Sequence, residues 1–159
     1  MNRSPVIAII GPGLLGGSLA MALRVRHPDA DIRLWARRPE AVAEIAAHPM
    51  AVSATTSLSD AVTGAEWVIL ATPVGVMPTL AAQIANAELA TDCLITDVGS
   101  VKGALVDQLE KIFSTGKGRF IGSHPMAGSE KTGLSAARAD LFQGANCIVT
   151  PTPSTLASD

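Results

Sequence analysis

The chain has 159 residues, 48% hydrophobic and 16% charged, with a formal net charge of −2. This length suits one domain with a real core. The near-neutral charge lacks the basic footprint of a nucleic-acid or anionic-membrane binder, so neither partner is expected.

No run of 18 apolar residues is present, and no membrane span is predicted. Mean hydropathy is +0.34, apolar enough to suggest a face hidden against another domain or subunit. The two cysteines, Cys93 and Cys147, stand in segments that read as buried strands, without metal or redox spacing. They fit a reducing cytoplasm, and no metal site is expected.

Val6 to Ile10 reads as a strand buried on both faces, and Leu14 to Leu23 as a helix. Between them Gly11, Gly13 and Gly16 have the spacing G-x-G-x-x-G. Gly11 permits the tight turn out of the strand, Gly13 lets the backbone approach a pyrophosphate, and Gly16 lets helix and strand pack closely. The free N–H groups at the helix start, at Leu14, Leu15 and Gly16, face the phosphates. Arg3 followed by apolar residues to Ala22 has the outline of a secretory signal. The Gly-Pro-Gly interruption suits a phosphate loop better.

Asp31 to Trp35 reads as the second strand, followed by a helix from Pro39 to Ala47. A third strand is expected at Ala51 to Ala54, then a capped helical turn from Ser57. Trp67 to Ala71 is the fourth strand, with a helix over Gly75 to Ala85. Cys93 to Thr96 is the fifth strand. Val101 to Phe113 reads as a helix capped by Ser100 and ended by Gly116. Arg119 to Gly122 is the sixth strand, before a Gly- and Ser-rich loop to Gly133. A helix over Leu134 to Leu141 and a strand over Asn146 to Val149 complete the pattern. Pro151 and Pro153 then close the domain.

Alternating strands and helices imply an α/β fold, a doubly wound and mostly parallel sheet of the dinucleotide-binding type. Ligands then lie at the carboxyl ends of strands. After the second strand stands Trp35-Ala36-Arg37-Arg38, with no acid to bind ribose hydroxyls. Two guanidiniums can grip a 2′-phosphate, so the pair Arg37 and Arg38 points to NADP rather than NAD. Thr72 and Pro73, at the end of the fourth strand, are placed to line the cofactor's ribose. All three histidines precede proline; His27 and His48 are expected at helix ends in solvent. His124 instead follows the sixth strand at the ligand edge, where it could take a proton from a hydroxyl as hydride leaves the carbon.

Three motifs together carry a resemblance: Gly-Pro-Gly-Leu-Leu-Gly-Gly-Ser at 11–18, Asp-Val-Gly-Ser-Val-Lys-Gly at 97–103, and Gly-Ser-His-Pro-Met-Ala-Gly-Ser-Glu-Lys-Thr-Gly at 122–133. Essentially the whole chain resembles the prephenate and arogenate dehydrogenases of tyrosine biosynthesis. The resemblance implies oxidation of a cyclohexadienyl alcohol, hydride passing to the nicotinamide, with loss of carbon dioxide. By the same resemblance His124 assists deprotonation of the ring hydroxyl and Ser100 helps orient it. Ser123, Ser129 and Glu130 match loop positions near the substrate. The family carries a second, helical domain that forms a homodimer and binds the substrate's carboxylates. Residues 1–151 are therefore expected to form the NAD(P)-binding domain, and 152–159 to begin a linker. Such a chain alone is expected to bind cofactor but turn over substrate poorly. Two alternatives remain open: another NADP-dependent reductase, of the β-hydroxyacid or pyrroline-carboxylate type, or a nucleotide-binding module without catalysis.

Overall fold

A computed structural model describes residues 4–159; the first three positions of the expected domain, Arg3 among them, lie outside the described residues. Seven strands form one sheet in the order β3-β2-β1-β4-β5-β6-β7. They are β1 (Val6–Ile10), β2 (Asp31–Trp35), β3 (Ser53–Thr55), β4 (Trp67–Leu70), β5 (Leu94–Asp97), β6 (Arg119–Pro125) and β7 (Cys147–Thr150). The helices are α1 (Leu14–Arg26), α2 (Pro39–Ala47), α3 (Leu58–Val62), α4 (Met77–Ile84) and α5 (Gly103–Thr115). Strands β1 to β6 are parallel, and β7 runs antiparallel to β6.

The two faces of β1 enter different cores, because side chains alternate along a strand. Val6, Ala8 and Ile10 join α3, α4 and α5 through Val62, Leu80, Ile84, Leu105 and Leu109. Ile7 and Ile9 join α1 and α2 through Ala20 and Ile45. The helices thus cover both faces, as a doubly wound sheet requires. On α5 the buried positions Leu105, Leu109 and Phe113 recur every four residues, and Phe113 stacks on Phe120 of β6 at 6.2 Å.

Several boundaries differ from the expected ones. The third strand starts at Ser53, after Ala51 takes a positive φ of 51°. The helix expected over 75–85 is a 3-10 turn, Val74–Val76, continued by α4. Helix α5 begins at Gly103 with Lys102 at its N-cap, and no side chain caps it; Ser100 is not the cap. Residues 134–141 form only a short 3-10 turn, Leu134–Ala136, because Ala137 is extended. Strand β6 continues to Pro125, so His124 lies within it rather than in the following loop. Cys93 is buried, whereas Cys147 is exposed because β7 is an edge strand with no layer over it. His27 is exposed at the end of α1, while His48, half-buried at the end of α2, accepts the Met50 N–H on Nδ1 at 3.3 Å.

Residues 152–159 fold back onto the domain. Ser154 Oγ donates to the Glu110 carboxylate at 2.8 Å, and Thr152 Oγ1 donates to the same oxygen. Arg119 Nε donates to Asp159 Oδ1 at 2.8 Å. Among the described residues no helix is long and apolar enough to cross a membrane.

Candidate dinucleotide-binding site

Strand order reverses at β1, which lies between β2 and β4. At such a switch point the loops leave in opposite directions and open a crevice at the carboxyl ends of the strands. The crevice here is about 500 Å³. Gly11 and Gly13 form its floor, Arg37 and Arg38 one wall, and Thr72, Pro73 and Val76 the other.

The glycine turn fits a pyrophosphate. Gly11 has φ +115°, a conformation open to glycine, and it donates its N–H to the Trp35 carbonyl at 3.0 Å. Gly13 is the N-cap of α1, with no side-chain cap and no acid in the first turn. The N–H groups of Leu14, Leu15 and Gly16 therefore lack intrahelical partners, as a helix start that can accept an anion requires. A Cβ on Gly13 would meet nothing within 4 Å, so the space in front of the turn is free for a ligand. Thr72 Oγ1, in the opposite wall, is buried without a hydrogen-bond partner, a vacancy that a ribose hydroxyl would fill.

Arg37 and Arg38 are exposed, and among the described residues neither enters an ion pair. Arg38 caps α2 through its backbone, which leaves both guanidiniums free at the mouth. The Trp35 indole N–H donates to the Thr56 carbonyl at 3.0 Å and holds the β3–α3 connection against the crevice wall. Trp35 also lines this site, a residue that is not among the expected ones.

The other motifs meet at the ends of β5 and β6, farther along the same sheet edge. Asp97, the last residue of β5, is fully buried. Its Oδ2 accepts the Gly99 N–H at 2.8 Å and the Lys102 ammonium, and its Oδ1 accepts the Ser123 N–H at 3.2 Å. Ser123 Oγ donates to the Asp97 carbonyl at 2.5 Å and accepts from Thr96 Oγ1 at 3.1 Å. The Ser123 hydroxyl is thus turned into the sheet. A Cβ on Gly122 would lie 2.9 Å from Val106 Cγ2 and 3.6 Å from Lys102 Cδ, so Gly122 faces α5. By alternation His124 shares that face and Ser123 takes the opposite one. His124 is half-buried, and its ring has no hydrogen-bond partner among the described residues. Ser100 is exposed on the turn that Asp97 holds. Ser129 and Glu130 are exposed on the loop beyond, with Ser129 Oγ 3.4 Å from Glu130 Oε2. Farther on, Leu134 is buried against α1 at Gly17, and the Arg138 N–H donates to Ser18 Oγ at 3.0 Å.

Asp97 was missed as a site residue. Its signal was an acid closing an otherwise apolar strand, where burial requires partners.

The family model described as "Prephenate dehydrogenase, nucleotide-binding domain" matches residues 19–158. A prephenate dehydrogenase of Lactococcus lactis is 40% identical over 144 residues, covering 91% of this chain and 40% of that protein. A crystal structure of prephenate dehydrogenase from A. aeolicus, in complex with hydroxyphenyl propionate and NAD+, superposes with a TM-score of 0.87 at 33% identity. That match covers 99% of this chain and 54% of the other. Synechocystis arogenate dehydrogenase gives a TM-score of 0.84 at 31% identity, over 96% of this chain and 52% of that one. The chain therefore spans only about 40 to 54% of the length of these relatives. A glycine turn at the switch point and a match over nearly the whole chain agree: the protein belongs to the prephenate dehydrogenase family, and this chain matches its nucleotide-binding domain.

Proposed function

We propose that this chain is the cofactor-binding half of a prephenate or arogenate dehydrogenase that uses NADP in preference to NAD. The reading is carried by one observation: the dinucleotide crevice at β1 and the His124 strand β6 share a sheet edge, separated by β4 and β5. Three strand spacings, roughly 14 Å, suit a cofactor lying with its pyrophosphate on α1 and its nicotinamide toward β5 and β6.

In this reading the glycine turn and the first N–H groups of α1 hold the pyrophosphate. Thr72 and Pro73 line the adenosine ribose, and Arg37 and Arg38 grip its 2′-phosphate as bidentate donors. The bound nicotinamide supplies a hydride acceptor. His124 takes the proton of the ring hydroxyl as hydride leaves the carbinol carbon. The carboxylate on the ring then departs as carbon dioxide, its bonding pair completes the aromatic ring, and the proton returns to the phenolic oxygen. Aromatisation drives the sequence, so the protein's work is positioning and one proton transfer. Ser100 orients His124, while Ser129 and Glu130 face the substrate's entrance. A second, helical domain supplies the cations for the carboxylates and the homodimer contact. The setting is the reducing cytoplasm.

The test is titration of the protein with NADP and NAD, followed by addition of prephenate and arogenate, read by cofactor fluorescence and nicotinamide absorbance. Tighter binding of NADP, with weak turnover by this chain, is expected. Binding of neither dinucleotide overturns the reading, and full-rate turnover by the isolated chain refutes the need for a second domain.

A further inference from the structure

We infer that Asp97 is a positioning residue for the proposed reaction, a buried carboxylate that sets the Ser100 turn and the His124 strand against each other. The inference rests on the dehydrogenase reading above. Asp97 is 0% exposed in a region built of apolar residues, with Leu70, Ile95 and Val98 buried around it. Burying a carboxylate is strongly unfavourable unless its oxygens are filled. An apolar residue would serve the sheet at less cost, so the acid serves another purpose.

Its bonds show what that purpose is. Two of its donors are backbone N–H groups, and they come from two different motifs. One belongs to Gly99, the residue before Ser100, and the other to Ser123, the residue before His124. The third donor is Lys102, whose side chain is only 17% exposed and which folds back to close the 97–102 turn into a ring. The regular β5–β6 ladder ends at the pair Thr96 and Ile121. Beyond it, Ser123 is held to β5 through the Asp97 carboxylate and the Asp97 carbonyl. One side chain therefore fixes the backbone beside both candidate reactive residues.

Only a carboxylate meets this demand. Asp97 accepts at both oxygens, and every partner is a donor. An asparagine of the same shape has one acceptor and one NH₂ group. Whichever way it turns, a donor faces a donor at Gly99 or at Ser123, and Lys102 loses its counter-charge.

The test compares Asp97→Asn with the Asp97→Asn/Lys102→Met pair in the full-length protein. The double variant removes both charges and so leaves no buried cation unpaired. For Asp97→Asn, kcat is expected to fall about a hundredfold through misplacement of the reacting groups. KM for the dinucleotide should stay within about threefold, since Asp97 does not line the crevice. The double variant should be the more stable of the two and yet keep the low kcat. If Asp97→Asn fails to fold, the double variant carries the test. A second readout needs no substrate: hydrogen exchange at the Gly99 and Ser123 amides should accelerate in both variants, while that of Val68 in β4 should not. Wild-type kcat per active site in either variant, or unchanged protection of both amides, overturns the inference. If the wild-type protein oxidises neither prephenate nor arogenate, that result counts against the reaction. The exchange rates then decide the role of Asp97 alone.

Discussion

A methyl group on Gly16 would lie 1.9 Å from the carbonyl oxygen of Gly11, the closest approach made at any glycine of the phosphate turn. The obstacle is backbone, so no side chain can swing aside. Gly13 is the opposite case, with nothing within 4 Å of where its Cβ would stand. The two glycines therefore separate folding from binding. Gly16→Ala should cost about 3 kcal/mol or more in urea unfolding, the upper range for overpacking. Gly13→Ala should change stability by no more than about 1 kcal/mol, yet weaken dinucleotide binding at least about tenfold. Normal binding by folded Gly13→Ala would show that the pyrophosphate lies elsewhere.

Arg37 and Arg38 flank the crevice mouth as exposed cations, unpaired among the described residues. Replacing both by alanine should leave the melting temperature nearly unchanged, since neither packs in the core. The ratio of NADP to NAD affinity, measured by calorimetric titration, should fall to about one or below, because two charge-assisted grips on the 2′-phosphate are lost. An unaltered ratio would move the phosphate site away from these residues.

His124 lies in a strand paired on one side to β7, with Ile148 opposite it. Asparagine fits that place without disturbing the ladder. For His124→Asn, kcat should drop about 10²- to 10⁴-fold, the range for loss of general acid–base help. Dinucleotide affinity should hold. Full activity in this variant would favour the other reductase classes or a module without catalysis.

The two cysteines should behave as opposites. Burial, reinforced by the negative charge of Glu66 and only partly offset by Arg119, pushes the Cys93 thiol up to about 12. Cys147 is exposed on the edge strand. A disulfide reagent at pH 8 should therefore label one thiol per folded chain rapidly and the second only on unfolding. Cys93 stays protonated in the folded state while the unfolded thiol ionises. Its contribution to stability is thus complete below the unfolded value of 9.0 and is lost as pH rises towards about 12. Melting temperature followed from pH 8 to 11 should decline less steeply in Cys93→Ala. Equal alkaline slopes would refute the assignment.

The central strands were legible because β1 and β4 are apolar runs, and β2 alternates polar with apolar residues between turn residues. Val6 to Ile10, Asp31 to Trp35 and the body of the Trp67 strand lie where the pattern put them. The glycine turn was legible from spacing and context alone. Failures occurred where tertiary contacts outweigh local pattern. A helix is expected over Leu134 to Leu141, but Ala137 is extended, and both leucines are buried without a helix between them. Ser100 looked like a cap because caps are local, whereas the turn it occupies is closed at long range by Asp97 and Lys102. Cys147-Ile-Val read as a buried strand, and nothing in the three residues tells an edge strand from a central one. Asp97 falls one residue past the expected end of the fifth strand at Thr96, and its partners could not be assigned, since one of them, Ser123, is remote in sequence.

The loop bearing Ser129 and Glu130 is slung between two moorings. At one end the Met126 N–H bonds to the Asn146 carbonyl at 2.7 Å; at the other, Leu134 is seated on α1. Because the anchorages belong to the rigid body, the span between them can lengthen, shorten or change composition without a rebuild of the domain. Doubling its length would cost only about 0.6 kcal/mol of closure entropy. A few exposed residues of this span can thus be exchanged while the sheet and the glycine turn keep their shape.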